Sequence, residues 1–142
     1  MAAINPYLNF LGNTEEVFNF YKSVFGGEFA NFQRFKDIPG GDKMSPEDQG
    51  KIMHVALPIG KGTILMASDA LESMGHNITV GNNFYLSLNT DSEKETEQLF
   101  NALSAGGTIE MPLEKTFWGA YFGMFRDKFG VKWMINHDLN QK

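Results

Sequence analysis

Residues 7–27 read YLNFLGNTEEVFNFYKSVFGG, and a short strand, a helix and a stop follow one another within them. Tyr7 to Leu11 is an apolar run ended by Gly12-Asn13, the pattern of a short strand. Asn13 followed by Glu16 marks a helix start, with a side-chain oxygen for the free N–H groups and an acid in the first turn. Val17, Phe20, Tyr21 and Val24 then recur at helical spacing. Gly26-Gly27 ends the helix, since glycine enters the left-handed cap without a steric penalty.

Working outward, Phe29, Phe32 and Phe35 predict a second strand, although their spacing is not a clean alternation. Asp37 to Gly50 holds Pro39, Gly40, Gly41, Pro46 and several charges, and reads as a mobile loop. Ile52–Ile59 and Thr63–Ala67 read as strands joined by the Gly60-Lys61-Gly62 turn. Residues 72–83 form a second polar connection. The pattern then restarts. Phe84–Leu88 is a strand, Ser92 with Glu95 is a capping box, and Thr96, Leu99, Phe100 and Leu103 make a helical stripe stopped by Gly106-Gly107. Thr108–Met111, Tyr121–Phe125 and Val131–Ile135 follow as strands.

Each half therefore reads strand, helix, three strands. Leu8-Asn9 and Leu88-Asn89, Phe20 and Phe100, Gly26-Gly27 and Gly106-Gly107, and Gly50 and Gly130 are all separated by 80 residues. The agreement of element order with residue coincidences favours a real duplication. A unit of this size cannot bury its sheet face alone, so two modules are expected, at about 5–70 and 82–138, within a single domain over 1–142.

Composition sets outer bounds. A chain of 142 residues can bury roughly two-thirds of its unfolded surface without disulfides. It contains no cysteine, which removes disulfide scaffolds, thiolate metal sites and cysteine nucleophiles. The net charge of −5 argues against a nucleic-acid partner and against docking on anionic membranes. The opening Met-Ala-Ala-Ile-Asn-Pro has no basic region followed by an apolar stretch, and no run is long enough to span a bilayer, so a cytoplasmic location is expected.

The residues Tyr7-Leu8-Asn9-Phe10, Phe20-Tyr21-Lys22 and Val24-Phe25-Gly26-Gly27 resemble the opening of PhnB-like proteins. These belong to the vicinal oxygen chelate superfamily, with glyoxalase I, extradiol dioxygenases and bleomycin-resistance proteins. The closing Phe117-Trp118-Gly119, Tyr121-Phe122-Gly123, Asp127, Phe129-Gly130-Val131 and Trp133 are similar too. The Asp-x-Phe-Gly-x-x-Trp pattern is the more specific part. The resemblance implies an α+β fold in which two paired βαβββ modules form a cupped, eight-stranded mixed sheet. It also implies a homodimer with sites in the cups. Some relatives carry the label "3-demethylubiquinone methyltransferase-like". No glycine-rich loop opens a helix here, so no nucleotide cofactor is expected and methyl transfer is discounted.

In metal-using relatives, His or Glu ligands come from the first and last strands of each module. The resemblance carries these positions to Pro6, His54, Leu86 and Met134, with Asn5, Tyr7, Tyr85 or Ser87 reached by a one-residue slip. Only His54 is a good ligand, and a divalent metal needs several N or O donors, so no metal site is expected. The candidate ligand-binding residues are His54, Tyr7, Asn9, Phe117, Trp118, Tyr121 and Trp133. His54 shares a strand face with Ala56 and is read as an anion ligand, as a proton donor or acceptor, or as a hydrogen-bonded half-buried histidine. The aromatic residues supply flat apolar surface, or core and interface packing. Asn9 and Asn89 are repeat-related polar positions. His76 and His137 read as solvated. Thirteen Phe and eight Met are many for this length, and the methionines read first as core filler. No residue is assigned a catalytic role. The expected function is metal-independent binding of a small molecule in an aromatic-lined cup. The alternatives are a metal-dependent lyase, isomerase or dioxygenase, and a sequestering resistance protein.

Overall fold

The computed structural model describes residues 2–140. Two compact units divide the chain, Met1–Thr79 and Val80–Lys142. In the first, β1 (Tyr7–Phe10), α1 (Thr14–Phe25), β2 (Asn31–Arg34), β3 (Ile52–Ile59) and β4 (Thr63–Asp69) follow in sequence, with α2 (Pro46–Gln49) between β2 and β3. In the second, β5 (Leu86–Asn89), α3 (Glu93–Ser104), β6 (Thr108–Lys115), β7 (Ala120–Arg126) and β8 (Lys132–Asp138) repeat that order. The eight strands are shared as two four-stranded mixed sheets, ordered β1-β4-β3-β2 and β5-β8-β7-β6. Each module is thus βαβββ, and in each the first strand runs parallel to the last. Among the described residues no helix is long and apolar enough to cross a membrane.

One helix backs each sheet. On α1 the buried residues are Thr14, Val17, Phe18 and Tyr21, so the apolar stripe is rotated from the expected one, and Phe20 and Val24 are half-buried. This stripe packs on β3 and β4, where Val55, Leu57, Leu65 and Ala67 are fully buried. On α3 the stripe is the expected one: Thr96, Phe100 and Leu103 are buried, against Phe125, Trp133 and Ile135 of the second sheet. Gly123 lies under Phe100, and a Cβ there would come within 2.6 Å of the ring.

Buried carboxylates hold the joints. Asn13 makes no side-chain cap on α1. Asp69 of β4 takes over that task. Its Oδ1 accepts from the Thr14 backbone N–H at 3.0 Å and from the Thr14 hydroxyl at 2.6 Å, and its Oδ2 accepts from Ile52 N at 2.8 Å. One buried charge therefore ties the helix start to two strands, a distant contact that local sequence does not announce. In the second module His137 stands at the end of β8 and is buried, with Nδ1 2.9 Å from the Thr90 carbonyl. The expectation of a solvated His137 is corrected; His76 is exposed and its Nδ1 accepts from Leu71 N at 2.9 Å.

The Asp127-x-Phe129-Gly130-x-x-Trp133 pattern is a turn clamp. Asp127 Oδ1 accepts from Phe129 N at 2.9 Å and Val131 N at 3.0 Å, and Oδ2 accepts from the Trp133 indole N–H at 2.9 Å. The segment 37–50 is not an open loop. It folds into 3-10 turns at Phe35–Asp37 and Gly41–Lys43 followed by α2, capped by Ser45. Asp48 at its end accepts from Ser73 Oγ at 2.6 Å and pairs with Lys51. The Ser73 hydroxyl, and then Lys51, hold the Asp48 carboxyl below its ordinary range.

Candidate functional site

The register of the first sheet decides which side chains share the face turned away from α1. Tyr7 pairs with Met66, Met66 with Ala56, and Ala56 with Asn31. The next row on that face holds Asn9 beside Ser68, and His54 beside Gln33. Side chains two apart on a strand point the same way, so these rows form one surface. Three contacts within it agree. The Tyr7 and His54 rings lie 5.8 Å apart and 33° from parallel. Ser68 Oγ donates to Asn9 Oδ1 at 3.2 Å. The Asn31 amide nitrogen and His54 Nδ1 are 2.5 Å apart.

With the Asn31 amide as donor, Nδ1 is the acceptor and the neutral ring carries its proton on Nε2. No hydrogen bond engages Nε2 among the described residues. The face therefore presents the His54 Nε2 N–H, the side-chain amides of Asn9 and Gln33, a Tyr7 residue that is 47% exposed, and the half-buried Met66 thioether. Arg34, the cation at the end of β2, is committed elsewhere. It makes a bidentate pair with Glu15 at 2.9 and 2.8 Å, which holds the Glu15 carboxyl below its ordinary range.

The second sheet divides the remaining candidates. Trp133 and Tyr121 lie on the helix side. Trp133 is 0% exposed under α3, held by Asp127, and is core rather than lining. Burial, with Glu97 and Glu93 of α3, raises the Tyr121 hydroxyl above its usual value. Phe117 and Trp118 occupy the β6–β7 turn, 97% and 55% exposed. Trp118 stands edge-on to Phe117 at 5.0 Å and to Phe122 at 6.2 Å. Phe122 shares the face away from α3 with Asn136 and Asn89. So the structure brings together Tyr7, Asn9 and His54 on one module. It places Phe117 and Trp118 at the end of the other, and Tyr121 and Trp133 behind the second sheet.

That second face carries a polar bar. Tyr85, just before β5, donates its hydroxyl to Glu110 Oε1 of β6 at 2.6 Å. β5 and β6 are opposite edges, about 14 Å apart across three strand spacings. Lys132 of β8 lies between them, 3.3 Å from Glu110 and 4.4 Å above the Tyr85 ring. The Tyr85 hydroxyl, and then Lys132, lower the Glu110 carboxyl from its ordinary value. None of the described methionines, at 44, 53, 66, 74, 111, 124 and 134, belongs to the buried core, so the core-filler reading is corrected.

The metal positions implied by the family resemblance rest on a constant offset that the structure breaks. The offset is 80 for Asn9 and Asn89, but 68 for Ser68 and Asn136, their neighbours on the last strands. His54 lies on the third strand, and its counterpart is Phe122, not Met134. On the first and last strands the residues facing away from the helices are Tyr7, Asn9, Ile64, Met66, Ser68, Ser87, Asn89, Lys132, Met134, Asn136 and Asp138. None is an imidazole, and the carboxylate among them is a single one, Asp138 at the end of β8, level with Ala120. Among the described residues no group of three His, Cys, Asp or Glu lies together. This donor set does not fit a divalent centre of the implied kind. Asn31 and Ser68 were missed in the sequence, because only the register of β2 on β3 and of β1 on β4 shows that they share His54's face.

Comparison with known proteins agrees with the topology. Residues 3–135 match the sequence model of the Glyoxalase/Bleomycin resistance protein/Dioxygenase superfamily. Protein YjdN of Escherichia coli K12 is 33% identical, the match covering 94% of this chain and 93% of that one. The crystal structure of PA1353 from Pseudomonas aeruginosa superposes with a TM-score of 0.84 at 42% identity, over 97% of this chain and 98% of that one. A PhnB protein from Bacillus cereus, whose name carries the 3-demethylubiquinone-9 3-methyltransferase label, gives 0.75 at 28% identity, over 96% and 99%. With its two βαβββ modules and this match along nearly its whole length, the chain belongs to the Glyoxalase/Bleomycin resistance protein/Dioxygenase superfamily.

Proposed function

We propose that the chain is a metal-independent small-molecule-binding protein whose ligand lies on the first module's face, against Tyr7, Asn9 and His54. The observation that carries this reading is the His54 ring, held against the Asn31 amide at Nδ1 and beside an exposed Tyr7 ring; with Asn31 as donor it presents an Nε2 N–H that no hydrogen bond engages among the described residues. A preset donor next to a flat apolar surface suits a planar molecule bearing a carbonyl or carboxylate oxygen. With Arg34 already paired to Glu15, the imidazole and the neighbouring amides of Asn9 and Gln33 are the groups that orient such an oxygen. Phe117 and Trp118 are too exposed to be core, and we assign them to a homodimer interface in a cytoplasmic protein.

Native mass spectrometry of the chelator-treated protein, purified from cells, tests this reading. The expected species is a dimer that carries a small organic molecule, and His54→Ala loses that molecule while remaining a folded dimer. A divalent metal retained at one per chain, with the organic molecule lost on its removal, would favour the metal-dependent enzyme instead.

A further inference from the structure

Three methionines stand in one cross-strand row of the second sheet. Met111 of β6 pairs with Met124 of β7, and Met124 pairs with Met134 of β8. The row ends at Ser87 of β5. Met111 is 38% exposed and the other two are half-buried, so the thioethers are not enclosed by the core. A bulge between Ile109 and Met111 resets the phase of β6. Ile109 stays level with Phe125 on the helix side, while Glu110 and Met111 join the other face. Without that extra residue Met111 would fall out of the row.

We infer that Met111, Met124 and Met134 form a site for a soft monovalent cation, Cu(I) in the cell. Thioether sulfur selects soft metals, and three neutral sulfurs leave the charge of a monovalent ion uncompensated by only one unit. The outer backbones lie about 10 Å apart across two strand spacings, and two unbranched side chains with three rotatable bonds can meet above the middle strand. Neighbouring charges balance. Arg126 and Lys132 flank one side of the row, while Glu110 bonds Lys132 and Glu114 lies level with Phe122 on the other side. No imidazole or carboxylate stands in the row itself, so it offers nothing to Zn(II). The row lies on the second sheet, whereas His54 lies on the first. In the first sheet the corresponding row holds one methionine, Met66, beside Ala56 and Tyr7, so among the described residues a row of three sulfurs arises in the second sheet alone.

Ag(I), a redox-inert probe for Cu(I), tests the site in chloride-free buffer. Titration followed by native mass spectrometry should show one Ag(I) per chain. Replacing Met111, Met124 and Met134 together by Leu should weaken binding at least tenfold, and His54→Ala should change it less than twofold. Methionine-to-leucine swaps keep volume and usually preserve the fold. Should the triple variant fail to fold, Met124→Leu alone carries the test, with the same tenfold threshold. The [13C-methyl]-methionine spectrum gives a second reading: the signals of residues 111, 124 and 134 should shift together on adding Ag(I). The inference is overturned by no uptake in the wild-type protein, by binding within twofold in the leucine variant, or by shifts confined to other methionines.

Discussion

Asp127→Asn isolates the clamp that the sequence pattern encodes. The carboxylate is 3% exposed and accepts three N–H groups, two from the turn backbone and one from the fully buried Trp133 indole. An asparagine keeps one oxygen for Phe129 and Val131, but it turns an NH2 group toward the indole N–H. The buried Trp133 indole N–H then loses its Asp127 acceptor, which costs about 1–3 kcal/mol, with a further loss from replacing charge-assisted bonds by neutral ones. We expect about 3 kcal/mol in total. For a chain of this size that corresponds to a Tm lowered by about 6–12 °C. Urea unfolding gives the free energy. The informative design is a double-mutant cycle with Trp133→Phe, which removes the donor. Once the indole N–H is gone, Asp127→Asn should cost less than half as much. A loss under 0.5 kcal/mol for Asp127→Asn, or additive losses in the cycle, would refute the clamp.

Other consequences are equally direct. Gly123→Ala places a Cβ 2.6 Å from the Phe100 ring and 3.2 Å from the Met111 carbonyl, so overpacking should lower stability by about 1–3 kcal/mol in urea unfolding. Because Arg34 lowers the folded pKa of Glu15, the pair stabilises at neutral pH. That contribution disappears as pH falls below the ordinary glutamate value of about 4.3, through the lower folded one. Glu15→Gln should therefore flatten the acid limb of a Tm-against-pH curve, and an unchanged limb would contradict it. Tyr7→Ala should weaken ligand binding several-fold with no change in Tm beyond about 2 °C, since the ring is half exposed. Trp133→Ala should instead unfold part of the second module, seen as a loss of near-ultraviolet dichroism.

The fold was legible because its signals are local. Gly26-Gly27 and Gly106-Gly107 stop two amphipathic helices, and each helix is followed by three strand-like runs. Ser92 does cap α3, accepting from Glu95 N at 3.1 Å, although Glu95 reaches back to Asp91 N rather than to Ser92. What stayed hidden depends on partners far along the chain. Asn13 looked like a cap, but Asp69, 55 residues from Thr14, performs that role. The segment 37–50 looked loose because its restraints are Ser73 and its own 3-10 turns. For the site, alternation along β3 did separate His54 from Val55 and Leu57. Trp133 and Tyr121 could not be assigned a face until β7 and β8 were in register, since a one-residue shift turns each side chain over. A single repeat offset carried along the whole chain misplaced the counterpart of His54 because the stretch between helix and third strand is shorter in the second module.

The central claim is that the first module's face binds an oxygen-bearing planar molecule without a metal. Amide-resolved NMR of EDTA-treated protein, titrated with a panel of aromatic carboxylates and ketones, measures it directly. The account predicts saturable shifts gathered at Tyr7, Asn9, Asn31, His54 and Ser68, and lost in His54→Ala. Shifts that appear only after a divalent metal is restored, or that leave those five residues unmoved, would contradict it.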